Sequence, residues 1–229
     1  NDTPGVMLSS AAKEYLKVYG VLVGKKPLIF TNNDSGYETA IEFKKNGVVP
    51  IILDTRKNPK SEIIDEAKNL GIEIKFSYVV VAAKGYKKVK SAEISKISDD
   101  KNELGLLESI NCDCICVSGF WTPTIHLASQ SGNKTKFNKD IDAFVPGVSK
   151  QNETTLGAAN GTLTLEETLK DSFDSGYELS KKITNNDNKI SLPVVIEKKS
   201  TQHDKFWCVP LPKGKTYKRF LDFQNDVAV

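Results

Sequence analysis

The sequence predicts an α/β protein: a Rossmann-like nucleotide-binding fold with a smaller domain nested in it. Two observations carry this. Strand, tight turn, helix and strand follow one another twice between residues 27 and 76, each helix stopped by a glycine. A second turn of small residues, Gly157-Ala158-Ala159-Asn160-Gly161, stands far downstream, where another strand meets another helix.

In order along the chain, Met7, Leu8, Ala11, Tyr15 and Val18 recur near helical spacing and Gly20 supplies a stop, so residues 6–19 read as a helix packing that face inward. Residues 27–30 read as a short buried strand. Asp34 or Ser35 caps the next helix, whose apolar positions are Tyr37, Ala40, Ile41 and Phe43, and Asn46-Gly47 ends it. A strand over 48–53 stops at Asp54. Ser61 caps a helix through Leu70, Gly71 breaks it, and a strand follows over 72–76. Residues 78–83 and 87–94 form an antiparallel arm turning at Lys84-Gly85.

Residues 110–118 read as one apolar strand, with Cys112, Cys114 and Cys116 alternating onto a single face. Polar loops run to Lys150, and the 157–161 turn opens a helix continuing past Thr168. Residues 184–189 are a polar loop. The remainder, with Phe206, Trp207 and Phe220, is irregular with one or two short strands. The layout suits a helix at 1–19 entering a nested nucleotide-type domain at 20–108. Both ends read as cuts through a longer protein.

The turn after the first strand can be set against the dinucleotide pattern G-x-G-x-x-G, whose glycines allow a tight turn, close approach to a pyrophosphate and close helix packing. The matching positions are Thr31, Asn33 and Gly36, and Asp54 falls where an acidic residue would hold a ribose. The expectation is a kept fold with a lost pyrophosphate site. The rival is a modified cradle made of asparagine amides. At 157–161, small side chains let a cofactor approach backbone amides, although small residues at such a turn more often serve simple close packing.

Other chemistry is thinly represented. His126, His203 and Trp121 stand outside any nucleophile or metal pattern, so no catalytic and no metal-ligating residue is assigned. Cys-x-Cys-x-Cys without a second ligand pair reads as buried, reduced thiols. A net charge of +3, from 32 basic and 29 acidic residues dispersed along the chain, gives no field selecting nucleic acid or an anionic membrane. Neither a membrane span nor a secretory leader is visible, which suggests a cytoplasmic protein.

Several segments together resemble a known family. They are Asn1-Asp2-Thr3-Pro4-Gly5-Val6-Met7-Leu8, Phe30-Thr31-Asn32-Asn33-Asp34-Ser35-Gly36-Tyr37, Val117-Ser118-Gly119-Phe120-Trp121-Thr122-Pro123, His126-Leu127-Ala128-Ser129-Gln130-Ser131-Gly132, Phe144-Val145-Pro146-Gly147, Gly157-Ala158-Ala159-Asn160-Gly161 and Asp222-Phe223-Gln224-Asn225-Asp226-Val227. In this order they resemble the alpha subunit of heterotetrameric sarcosine oxidase, with the chain as its central part. The resemblance implies a nucleotide fold of the pyridine nucleotide-disulfide reductase type, in which 20–108 is a nested degenerate NAD-type domain, 109–180 a return segment of a first nucleotide domain and 181–229 a connector. It also implies a complex with beta, gamma and delta subunits that demethylates sarcosine to glycine, using oxygen and tetrahydrofolate. FAD would lie in beta, FMN at the alpha and beta interface, and NAD in alpha. Gly157, Ala158, Ala159, Asn160, Gly161, Leu163 and Leu165 are the positions it assigns to NAD contact. Phe120 stands where the family commonly has a second glycine.

The resemblance also implies an upstream G-x-G-x-x-G fingerprint and a C-terminal folate-handling domain, both outside this sequence, so the chain alone is expected to be inactive. Two other readings stay open: an NAD(P)H-dependent, disulfide-reductase-like electron-transfer module, against which the lack of a C-x-x-C pair counts, and a non-catalytic docking scaffold.

Overall fold

The computed structural model describes residues 3–184, 191–195, 204–215, 220–222 and 227–228. Asn1, Asp2, His203, residues 185–189 of the expected polar loop and residues 223–226 of the last motif lie outside them. The chain divides into two compact units, one formed by residues 1–120 and 200–229, the other by 121–199.

The first unit is built on a parallel sheet of five strands in the order β1-β8-β2-β3-β4, with β1 at Val6–Leu8, β2 at Pro27–Thr31, β3 at Ile51–Asp54, β4 at Glu73–Phe76 and β8 at Cys114–Ser118. Helices α1 (Ser9–Tyr19), α2 (Ser35–Lys45) and α3 (Glu62–Asn69) are the crossovers. Side chains alternate across the sheet, as a period of two requires. Ile29, Ile52, Cys114 and Cys116 face the helices and pack with Ala12, Leu16, Tyr37, Phe43 and Ile64. Leu28, Leu53 and Ile115 face the other way, onto Val89, Ala92 and Ile94. That second layer is an antiparallel sheet of β5 (Tyr78–Lys84), β6 (Ser91–Ile97) and β7 (Leu104–Asn111). The α/β Rossmann-like class read from the sequence is the one observed.

Several elements depart from expectation. Residues 6–8 are a strand beside β8, so α1 starts only at Ser9 and its phase is reset. Its buried face is Ser9, Ala12 and Leu16, while Tyr15 and Val18 are exposed. Strand β3 begins at Ile51 rather than residue 48, and the second strand of the arm lies at 91–97 instead of 87–94.

The expected strand over 110–118 is two strands in two sheets. Asp113 ends the first by turning its carboxylate onto the Lys25 and Lys26 amides, both at 2.8 Å, and the chain crosses there from β7 to β8. The break destroys the alternation: Cys112 joins the core under the antiparallel sheet, whereas Cys114 and Cys116 join the core under the helices.

In the second unit α4 (His126–Gln130) precedes an antiparallel hairpin of β9 (Thr135–Asn138) and β10 (Ala143–Pro146), inside a stretch expected to be loop. Phe137 and Phe144 pair edge to face across it at 5.3 Å. A single 3₁₀ turn, Gly157–Asn160, then precedes α5 (Leu165–Thr184). Residues 220–222 (β11) and 227–228 (β12) pair antiparallel.

Candidate functional site

A Rossmann-like parallel sheet presents its ligand crevice at the carboxyl ends of its strands. Here that crevice lies between β2 and β8, and four segments of the first unit meet there: the 31–36 turn, residues 54–56 after β3, residues 118–120 after β8, and residues 204–209. Thr31, Asn32, Thr55, Gly119, Phe206 and Trp207 are among the residues that line a cavity of about 220 Å³ there.

The turn is closed by its own side chains. The Thr31 hydroxyl accepts from the Asn33 amide at 3.2 Å and donates to the Asn33 carbonyl at 2.8 Å. Asn33 Oδ1 accepts from the Ser35 amide at 2.9 Å and from the Ser35 and Ser118 hydroxyls, while Nδ2 donates to the Asn32 side chain and to the Gly119 carbonyl. The Asn32 amide donates to the Ser118 carbonyl. Three amides that could face an anion, those of Asn32, Asn33 and Ser35, are thus taken by protein acceptors.

Gly36 follows from Thr31. A Cβ at Gly36 would lie 2.6 Å from the Thr31 Cβ. The third glycine of the pattern is therefore required by the residue that replaced the first.

Asp54, the ribose-acid position, is fully buried and already engaged. Arg56 grips it with Nε at 3.0 Å and Nη2 at 2.8 Å, and Nη1 reaches Asp34 at 2.8 Å. Tyr37 donates its phenol to Asp54 at 2.6 Å. Burial and the adjacent Asp54 push the Tyr37 phenol far above its ordinary value. Burial opposes the Arg56 charge, but the hydrogen bonds to Asp54 and Asp34 outweigh it and hold the guanidinium charged. The cluster neutralises Asp34, whose charge the sequence alone sets against phosphate, and leaves no carboxylate oxygen directed to a ribose.

The positions assigned to NAD lie in the second unit. Gly157 is buried at φ +63°, and an added Cβ there would meet the Thr168 methyl at 2.9 Å. Gly161, at φ +89°, ends the turn; its missing Cβ would meet Ile141 at 2.6 Å and Val145 at 3.1 Å. Ala158 and Asn160 are exposed, Ala159 is half-buried, and Leu163 and Leu165 are exposed. The expectation that this turn opens the long helix is corrected. It is a separate 3₁₀ turn, and α5 starts after Thr164, whose hydroxyl accepts from the Glu167 amide at 3.3 Å and donates to the Glu167 carboxylate at 2.7 Å. The sequence signal for that start was the Thr164-Leu165-Glu166-Glu167 capping box. The amides at 157–160 thus lack the dipole of a long helix.

His126 and Trp121 are exposed in the second unit. Cys114 and Cys116 lie with sulfurs 3.6 Å apart in the core under the helices; the hydrogen bond shared with Cys114, together with burial, pushes the Cys116 thiol far up. Among the described residues no three His, Cys, Asp or Glu side chains gather as a metal site, and no helix is long and apolar enough to cross a membrane. Residues 204–209 are the part of the crevice that sequence reasoning missed, since Phe206 and Trp207 fall in a stretch read only as irregular.

No family model matches the chain. It is 32% identical over 240 residues to the sarcosine oxidase subunit alpha of Rhizobium meliloti strain 1021, which covers 99% of this chain and 22% of that protein. The corresponding protein of Corynebacterium sp. strain P-1 is 31% identical over 163 residues, covering 70% of this chain and 17% of its own length. The chain therefore spans about a fifth of the length of these relatives, and the resemblance read from its motifs is borne out. Among solved structures, the flavoprotein disulfide reductase RclA of Escherichia coli, in its Cu(II) complex, is similar with a TM-score of 0.53 and 16% identity, over 80% of this chain and 40% of that one. This second likeness concerns the fold.

Proposed function

We propose that this chain is the central part of a sarcosine oxidase alpha subunit. The observation that carries the proposal is the match to such a subunit along 99% of the chain. On this reading it works in a complex with beta, gamma and delta subunits. Sarcosine, oxygen and tetrahydrofolate give glycine, hydrogen peroxide and 5,10-methylenetetrahydrofolate. FAD in beta accepts electrons from the amine, FMN lies at the alpha and beta interface, and NAD is held by alpha. The segment's own part is to supply nucleotide-domain framework and subunit contacts: a nested domain over 20–108, a return segment over 109–180 and a connector over 181–229.

The 31–36 turn does not fit a dinucleotide, because its amides are used internally and Asp54 is held by Arg56 and Tyr37. No NAD contact is assigned to it. In the intact subunit that role goes to Gly157, Ala158, Ala159, Asn160, Gly161, Leu163 and Leu165, of which Ala158, Asn160, Leu163 and Leu165 are exposed. The chain by itself has no assigned catalytic group and is inactive on this reading, and its location is the cytoplasm.

The test is oxygen uptake by an alpha subunit carrying this sequence at its centre, co-produced with the other three subunits. One glycine and one hydrogen peroxide per sarcosine consumed is the expected result. Absence of sarcosine oxidation by the assembled complex, or a clear preference for proline or an opine, contradicts the assignment.

A further inference from the structure

The crevice between β2 and β8 is crossed by the chain itself. Residue 204 lies 172 positions after residue 32 in sequence, yet two hydrogen bonds join them: the Asp204 amide donates to the Asn32 carbonyl at 2.9 Å, and Asn32 Nδ2 donates to the Asp204 carbonyl at 2.9 Å. The Asp204 carboxylate accepts from the Thr55 hydroxyl at 3.2 Å and pairs with the Lys101 ammonium. Lys101 sits at φ +60° in the turn between β6 and β7, and its ammonium also lies 5.8 Å over the Phe206 ring. Beyond it, Trp207 packs on Phe120 with ring centroids 4.4 Å apart. The segment is held by backbone, charge and aromatic contacts at once.

The place of the carboxylate is informative. Thr55 immediately follows the ribose-acid position Asp54, at the carboxyl end of β3, where a Rossmann crevice meets the polar part of its ligand. A hydroxyl and an ammonium converge there on one anionic oxygen, and the anion is the protein's own.

We propose that residues 204–207 are a strap across the degenerate crevice, with Asp204 standing in for the phosphate of a ligand at a subsite made by Lys101 and Thr55. Strap and phosphate exclude one another, because both need the Lys101 ammonium and the same space beside Asn32. This subsite is distinct from the internally bonded 31–36 turn, and it stands independently of the substrate assigned to the whole enzyme.

The experiment titrates inorganic phosphate and, separately, NADP⁺ into the 229-residue chain by calorimetry, with folding checked by thermal melting. Asp204→Ala is expected to bind phosphate at least tenfold more tightly than the parent chain, and adding Lys101→Met abolishes that gain. Asp204→Asn, which keeps the backbone bridge and removes the charge, shows the same order if the alanine variant does not fold. NADP⁺ binding more tightly than phosphate in the opened variant identifies a nucleotide as the source; equal affinities identify a free phosphate. Phosphate affinity unchanged in folded Asp204→Ala and Asp204→Asn, or a gain that survives Lys101→Met, overturns the proposal.

Discussion

Thr31 and Gly36 show how one replacement constrains another. The Thr31 side chain takes the room a bare turn leaves open, so Gly36→Ala forces its new Cβ to 2.6 Å from Thr31. Overpacking of this kind costs about 1–3 kcal/mol. Urea unfolding of Gly36→Ala should show a loss in that range, and combining it with Thr31→Gly should recover much of it; a strictly additive double variant contradicts the contact. Arg56 joins two buried carboxylates, Asp34 and Asp54. Removing one partner from a buried pair costs about 3–5 kcal/mol because the other charge is stranded. Arg56→Met should lose stability on that scale, and a loss below about 1 kcal/mol, of the order of a surface ion pair, would show that the cluster is not a stabilising unit.

At the scale of elements, the strand-helix cycles were legible because each is bounded by local chemistry: a polar cap, a glycine stop and a run of apolar residues. The apolar run at 110–118 was read as one strand because periodicity cannot register a change of partner. Only Asp113, with its carboxylate on two distant amides, marks the crossing. The α1 face was misread for a related reason, since pairing of residues 6–8 with β8 resets where the helix begins. In the site, the lost pyrophosphate geometry followed from the side chains at 31–34. The Arg56 fork and the Asp204 bridge did not, because they depend on tertiary neighbours 22 and 172 positions away.

The crossing also carries a pH effect. Burial, with Asp113 and Cys114 nearby, pushes the Cys112 thiol up from 9.0 to about 11. Between those values the unfolded chain releases a proton that the folded chain keeps, so stability falls as pH rises from 9 to 11. The melting temperature of Cys112→Ala should fall less steeply over that window than that of the parent chain. Parallel slopes for the two proteins would remove Cys112 as a contributor.

For the whole molecule, the first unit keeps every layer of a nucleotide domain: a parallel sheet, crossover helices on one face and an antiparallel sheet on the other. What changed is confined to one end of the sheet, where Thr31, Asn33, Arg56 and Asp204 occupy hydrogen bonds and space that a dinucleotide would need. A framework can survive the loss of its ligand site because its core lies below the crevice and is packed from residues that never touch a ligand. The most direct measurement of this claim is a calorimetric titration of NAD into the 229-residue chain, followed by one into a longer polypeptide, an alpha subunit carrying this sequence at its centre. Binding to the longer polypeptide alone is the predicted result. Tight binding to the 229-residue chain, lost on Asn33→Asp substitution, would contradict the account.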